Sequence, residues 1–301
     1  MSRLIPLLVA ALLAACTLPP PDHNGAGAPR EAAIVPLKLE RPVVALALGS
    51  GGSRGFAHVG VIKALEQAGI EADIVTGASS GAVVAALYAS GYRARAIEKI
   101  ALDVEESDLV DLTPVGKGWV KGEALQQFVN RMVGDRPIEG LPRRFAVVAT
   151  AADSRRLTVF NHGNTGLAVR ASASVPNVFV PPVINGEEYL DGGLLSPVPV
   201  KLARAMGADV VIAVDVSWFA QARVAAGEGM SEYGRSARYG LLSEELEVAD
   251  VVVTPRTVRT RMFDFGRKEE NIRAGETAAR ESVAAIKKRI AEVAASKVAR
   301  R

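Results

Sequence analysis

The amino-acid sequence predicts an α/β domain with a mainly parallel central sheet and helices on both faces. Three observations carry that prediction. Apolar runs recur at Val43–Leu48, Ile74–Thr76, Phe145–Thr150, Val210–Asp215 and Val251–Thr254, with stretches of helical pattern between them. Strands covered on both faces read as continuous apolar runs, and alternation with helices is how parallel strands are joined. Two of these strands end in small, glycine-bearing turns that open straight into helices. In a doubly wound sheet both turns lie at the same carboxyl edge. Hydrophobic residues make up 49% of the 301, enough to fill the core of one large domain.

The chain starts with an export pattern. Arg3 gives a positive start, and Leu4 to Ala15 carry no charge. That run is too short to span a bilayer, which needs about 20 apolar residues. Leu13-Ala14-Ala15-Cys16 resembles a bacterial lipobox, and Cys16 is the only cysteine. Residues 1–15 are therefore expected to be a lipoprotein signal peptide, with Cys16 acylated after cleavage. A plain secretory signal with a chance cysteine is the competing reading. A diacylglyceryl group plus an amide-linked chain anchors firmly, where one chain would not. Thr17, not Asp, follows the cysteine, which in a double-membraned bacterium favours transfer to the outer membrane and a site facing the periplasm. Residues 16–42 are rich in Pro, Gly and Ala without periodicity and are expected to form a flexible tether. The expected folded domain is then 43–301. A single cysteine excludes an intramolecular disulfide.

The first turn follows Val43–Leu48. Gly49, Gly51, Gly52 and Gly55 surround Ser50, Ser53 and Arg54, and a helix follows from about Phe56 to Gly69. Glycines let successive N–H groups converge on one point, which makes an anion-binding nest. The anion is either a phosphate or the oxyanion of an acyl-transfer intermediate. A nucleotide site is disfavoured, because Arg54-Gly55-Phe56 stands where a phosphate loop carries Lys-Ser/Thr.

The second turn reads Gly77-Ala78-Ser79-Ser80-Gly81, with a strand before it and an apolar helix, Ala82–Ser90, after it. This is the context of a nucleophile elbow. The glycines at two before and two after give room for neighbouring chain, and the helix N-terminus favours negative charge near Ser79. Ser80 is the rival hydroxyl, but only the central residue of the frame sits at the tip. Its N–H is a further oxyanion donor. The proton acceptor is the discriminating question. His23 lies in the Pro/Gly-rich stretch, His58 one turn into the helix after the glycine loop, and His162 in a turn after a strand at Arg156–Phe160. None follows a late strand, where a triad histidine belongs. Asp191, in Tyr189-Leu190-Asp191-Gly192-Gly193, is the better candidate. A carboxylate takes a serine proton only when held against it in a water-poor site.

In this order, the glycine loop with its arginine, Gly-x-Ser-x-Gly and Asp-Gly-Gly resemble the patatin-like phospholipase family. The bacterial branch related to the neuropathy target esterase domain is the nearest likeness. The run from Leu46 to Leu65 and the run Arg170-Ala-Ser-Ala-Ser-Val-Pro-Asn-Val-Phe-Val-Pro-Pro-Val, ahead of Asp191, fit that branch. The likeness covers roughly 43–215 and, more loosely, runs on to about 255. It implies a three-layer sandwich and a Ser–Asp dyad with no histidine, metal or cofactor. Ser79 would be the nucleophile and Asp191 the proton acceptor. Gly51, Gly52 and Ser53 would supply oxyanion N–H groups, with Arg54 bracing the loop. Ser50 departs from the three successive glycines of many members, so which amides face inward stays open.

The rest of the chain bears on substrate and partners. Leu102–Trp119 is placed to cap the site. Tyr189 and Phe179-Val-Pro-Pro flank Asp191 and are candidate walls of an acyl channel. Residues 217–240 mix aromatics and glycines without periodicity, as in a lid or a connector. A net charge of +3, from 36 basic and 33 acidic residues, gives no footing for nucleic acid. The basic tail, Lys287-Lys288-Arg289 with Lys297 to Arg301, reads as a solvated helix end. The implied function is an acyl-ester hydrolase with a lipid ester as substrate, held at a membrane through Cys16. The alternative is a non-catalytic lipid- or partner-binding envelope lipoprotein on the same fold.

Overall fold

In the computed structural model the described residues are 21–114, 117–217, 237–258 and 260–299. The expected signal peptide, Cys16 and nearly all of 217–240 lie outside them. The strands are β1 (Asp22–His23), β2 (Val44–Leu48), β3 (Ile74–Gly77), β4 (Arg144–Ala151), β5 (Leu157–Phe160), β6 (Val183–Ile184), β7 (Glu187–Asp191), β8 (Val210–Val214) and β9 (Val251–Val253). The helices are α1 (Phe56–Gln67), α2 (Ser80–Ala89), α3 (Ala94–Asp103), α4 (Glu123–Val133), α5 (Thr165–Ser172), α6 (Val200–Ala205), α7 (Ala237–Leu246) and α8 (Lys268–Ala299). One sheet runs in the order β1-β6-β7-β4-β3-β2-β8-β9, with β5 also on β4. Its centre, β4-β3-β2-β8-β9, is parallel; β5 and β7 run antiparallel to β4.

The two faces of the sheet explain the continuous apolar strands. Val44, Leu46 and Leu48 point to one side with Val75, Val147 and Ile212, under α1 to α5 and α8. Val43, Ala45 and Ala47 point to the other with Val148, Val211 and Ala213, under α6 and α7. Side chains alternate with period two, so a strand apolar at every position needs a cover on both faces. Three layers result, as the sequence predicts. The long C-terminal helix α8 lies on α1 at close range. A methyl group on Gly60 would overlap the Ile272 carbonyl, and one on Gly275 the Ala57 carbonyl.

Residues 21–42 differ from the expected flexible tether. β1 pairs with β6. Asn161 holds both the N–H and the C=O of Ala32, at 2.8 and 2.9 Å. Leu37 donates its N–H to Met206 O at 2.8 Å, and Ile34, Leu37 and Leu39 pack on the second face of the sheet. Prolines at 29, 36 and 42 forbid a helix here but not an extended strap. Three scattered, partly buried aliphatics anchor it without any periodicity to announce the fact.

Candidate active site

β2 and β3 are neighbours and parallel. Their turns therefore meet at one sheet edge, and β7 brings Asp191 to the same place beside β4. Ser79 sits between β3 and α2 with φ 53° and ψ −125°. That backbone is strained for a residue with a side chain, at a cost on the order of 1–3 kcal/mol. It is held from several sides. Ser79 N–H donates to Ser172 Oγ at 3.0 Å. A methyl group on Gly81 would overlap the carbonyls of Leu48 and Gly49, so the elbow closes against β2 only with glycine there.

Asp191 is the last residue of β7, and its position is fixed at three atoms. Its N–H donates to Ser174 O at 2.8 Å, its C=O accepts from Thr150 Oγ1 at 2.9 Å, and its Oδ1 accepts from Gly193 N–H at 2.7 Å. A side chain on Gly193 would strike Ser50 Oγ and that same carboxylate. Both Ser79 and Asp191 are over nine-tenths buried. They line one polar cavity together with Ser50, Gly51, Gly52 and Arg54. The residues singled out from the sequence thus converge, and no histidine lines that cavity.

The glycine loop shows which amides are committed elsewhere. Ser53 N–H, expected to face an oxyanion, donates to Met262 O at 2.9 Å. Arg54 N–H turns back to Gly51 O at 3.3 Å, so Arg54 contributes no amide either. Among the described residues, no carbonyl takes the N–H groups of Gly51 and Gly52. Arg54 Nε donates to Val216 O at 2.9 Å and braces the loop against the end of β8. Ser80 Oγ is buried without a hydrogen-bond partner and faces Gly55, which has no room for a side chain against it.

His58 is wholly buried on α1, with Nε2 2.8 Å from Gly49 O. It acts on the loop as a positioning residue. Burial lowers its pKa to about 4, so the ring is neutral and Nε2–H donates. The unfolded value is near 6.5, so the unfolded chain binds more protons between pH 6.5 and 4. The stability from neutral His58 is then complete above pH 6.5 and is lost as pH falls toward 4, by about 3 kcal/mol in all. Urea midpoints of wild type and His58→Gln, measured from pH 7.5 to 4, check this: the two curves should converge as pH falls. A gap that stays constant would mean His58 does not titrate in this way. His23, in β1, and His162, whose Nδ1 faces Asn161 Oδ1 at 3.1 Å, belong to the strap region.

Beside the cavity of Ser79 and Asp191 runs an apolar channel, most of whose walls the sequence did not disclose. Ser79 lines both. Its walls include Phe56 and Val59 of α1, Val83 and Leu87 of α2, and Ile97 and Ala101 of α3. Val104 and Leu109, from the stretch expected to cap the site, and Phe179 complete the near side. Tyr189 is not a wall. Its ring packs edge-on against Phe160 at 5.0 Å and its hydroxyl donates to Glu187 at 3.2 Å. Tyr189 pairs with Ala151 of β4, two positions before Asp191 ends the strand at the cavity.

Sequence reading also passed over Thr260–Phe265. Met262 O takes the Ser53 N–H, Arg261 O takes the Ser53 hydroxyl at 2.7 Å, and Met262, Phe263 and Phe265 close the channel mouth. Two phenylalanines in a polar loop were the available signal. Buried Arg170 ties α5 to the start of α4 through Lys121 O and Gln126 Oε1, at 2.8 and 3.1 Å. No cluster of three or more His, Cys, Asp or Glu placed to hold a metal occurs among the described residues. No described helix is long and apolar enough to cross a membrane.

The patatin-like phospholipase family matches residues 46–204, just over half of the chain. An uncharacterised NTE family protein of Mycobacterium tuberculosis is 36% identical over 179 residues, covering 58% of this chain and 49% of its own. Human patatin-like phospholipase domain-containing protein 6 is 37% identical over 183 residues, covering 58% of this chain and 13% of that protein. The lysophospholipase NTE1 of Yarrowia lipolytica is 34% identical over 185 residues, covering 59% and 13%. The chain therefore spans about half the length of its mycobacterial relative and far less of the others. The crystal structure of VipD from Legionella pneumophila shares the fold, with a TM-score of 0.55 at 15% identity over 82% of this chain and 67% of that one.

Proposed function

We propose, for a chain that belongs to the patatin-like phospholipase family, that it is a serine acyl-ester hydrolase acting on phospholipid or lysophospholipid esters. One observation carries this reading. Ser79 stands at the junction of a polar cavity holding Asp191 and an apolar channel suited to an acyl chain. Asp191 takes the proton as Ser79 Oγ attacks the ester carbonyl. The carbonyl oxygen becomes an oxyanion held by the N–H groups of Gly51 and Gly52, with the α2 N-terminus behind. Asp191 returns the proton to the departing alcohol, leaving an acyl-Ser79 ester. Water, deprotonated by Asp191, attacks that ester, and the fatty acid leaves as Ser79 regains its proton. Burial of the carboxylate supplies the water-poor surroundings a weak base needs.

We further propose that the protein is exported, cleaved after Ala15 and held by acylated Cys16 on the periplasmic side of an outer membrane. The Leu-Ala-Ala-Cys pattern supports this. Labelled palmitate should enter the wild-type chain and not Cys16→Ser. For the hydrolase reading, the test is covalent labelling by a serine-directed fluorophosphonate. A single adduct on Ser79 is expected. A folded protein that never reacts would instead be a scaffold.

A further inference from the structure

The mouth of the channel continues onto an exposed apolar rim. Leu112 is 70% exposed and Trp119 45%. Leu102 and Met262 are also large apolar side chains left open. They are neighbours through specific contacts. Leu112 pairs with Val120, next to Trp119. The Trp119 ring meets Phe263 edge-on at 5.6 Å, and Phe263 and Met262 both line the channel. On the far side Lys268 holds Leu102 O at 3.0 Å and stands 5.7 Å from the Phe265 ring, another channel wall. The apolar side chains of the rim run into the channel that leads to Ser79, beside an outer pocket that Trp119, Met262 and Phe263 share with Glu106, Arg261 and Asp264.

Single exposed aliphatics are ordinary, but a connected patch around a pocket mouth marks an interaction site. We propose that this rim, centred on Leu112, Trp119 and Met262, is the face by which the protein lies on a lipid bilayer, with the channel opening into the acyl layer. Continuity with the channel selects the occupant. A protein docked on this face would cover the entrance that an ester must use, whereas a bilayer offers apolar chains just beneath its headgroups and supplies the ester from the same layer. Tryptophan at the rim suits the boundary between headgroups and chains. The inference rests on the hydrolase reading only for the passage of substrate. Binding itself needs no turnover.

The test keeps the full chain and its anchor. The sequence has two tryptophans, so Trp218→Phe leaves Trp119 as the reporter. That protein is reconstituted in dioleoylphosphatidylcholine vesicles, with and without brominated phosphatidylcholine. The expected result is emission shifted to the blue and at least halved by the brominated lipid. Adding Leu112→Asp should remove most of that quenching and leave hydrolysis of a water-soluble short-chain ester within twofold. Trp119 emission indifferent to brominated lipid would overturn the proposal, because the protein would then hang from its anchor with the rim in water. Quenching unchanged by Leu112→Asp would overturn it too. An emission shift that depends on protein concentration without lipid would make the rim a contact between copies instead. Loss of short-chain ester hydrolysis in the unsubstituted protein would count against the hydrolase reading alone.

Discussion

Ser79→Ala is expected to abolish hydrolysis of a short-chain ester, lowering kcat/KM by about 10⁴-fold or more. Asp191→Asn should do the same. Members of a catalytic pair act as a unit, so the double variant should be no worse than either single one. The two substitutions test different parts of the geometry. Alanine at 79 removes the attacking oxygen but keeps a residue that tolerates the elbow less easily than glycine would. The backbone stays anchored by Ser172 Oγ on its N–H. Asparagine at 191 keeps the shape and can still accept the Gly193 N–H through its amide oxygen, but it cannot take a proton at neutral pH. Thermal melts near wild type with activity at background would assign both roles. If Asp191→Asn retains even a tenth of wild-type activity, the proton must go elsewhere, and His58 is no substitute. It is buried, neutral and committed to Gly49 O.

The parts of the site legible in the sequence are those where local backbone geometry demands particular residues. Gly77 and Gly81 frame Ser79 because neighbouring backbone leaves no space for side chains, and that requirement is written at fixed offsets. Asp191 was legible for a related reason, since Gly192 and Gly193 pack where Val148 and Ser50 exclude a Cβ. The alternating strands gave the layers, because burial on both faces leaves no polar position in β2 or β8. What stayed hidden is built by tertiary convergence. The channel takes walls from four successive helices and from the loops between and after them, and none of them carries a pattern distinguishable from ordinary core packing. The capture of Ser53 N–H by Met262 O joins residues 209 positions apart (262 − 53). No local rule could say that Ser53 would spend its amide there. Tyr189 misled for the opposite reason. Nearness to Asp191 in sequence suggested nearness to substrate, but its ring packs against Phe160, which keeps it within the sheet.

Filling the channel should separate long esters from short ones. Ala101 lies on α3 with its methyl toward the lumen, beside Ile97 and Ile100. In Ala101→Trp the indole would occupy space that an acyl chain otherwise takes. A buried methylene contributes about 0.8 kcal/mol. Displacing four or five of them would cost roughly 3–4 kcal/mol, or about 10²–10³-fold. The expected result is a fall of that size in kcat/KM for a sixteen-carbon ester, with a four-carbon ester changed by less than about threefold. Overpacking is the competing cause of lost activity, and it typically costs about 1–3 kcal/mol of stability. It would lower both esters together. Val83→Phe, on the facing helix α2, adds less bulk and should give a smaller drop with the same selectivity. The two variants form an internal scale: the longer the chain, the larger the loss, and the larger the plug, the shorter the chain at which the loss begins. If both variants hydrolyse long and short esters in the wild-type ratio, the acyl chain does not enter between α1, α2 and α3. The apolar lumen would then be a packing defect beside the site. The substrate's chain would then have to leave through the cavity that Asp191 lines, past Val175, Pro176 and Leu194. Selectivity by chain length therefore links the position of one alanine on α3 to the class of ester that Ser79 meets.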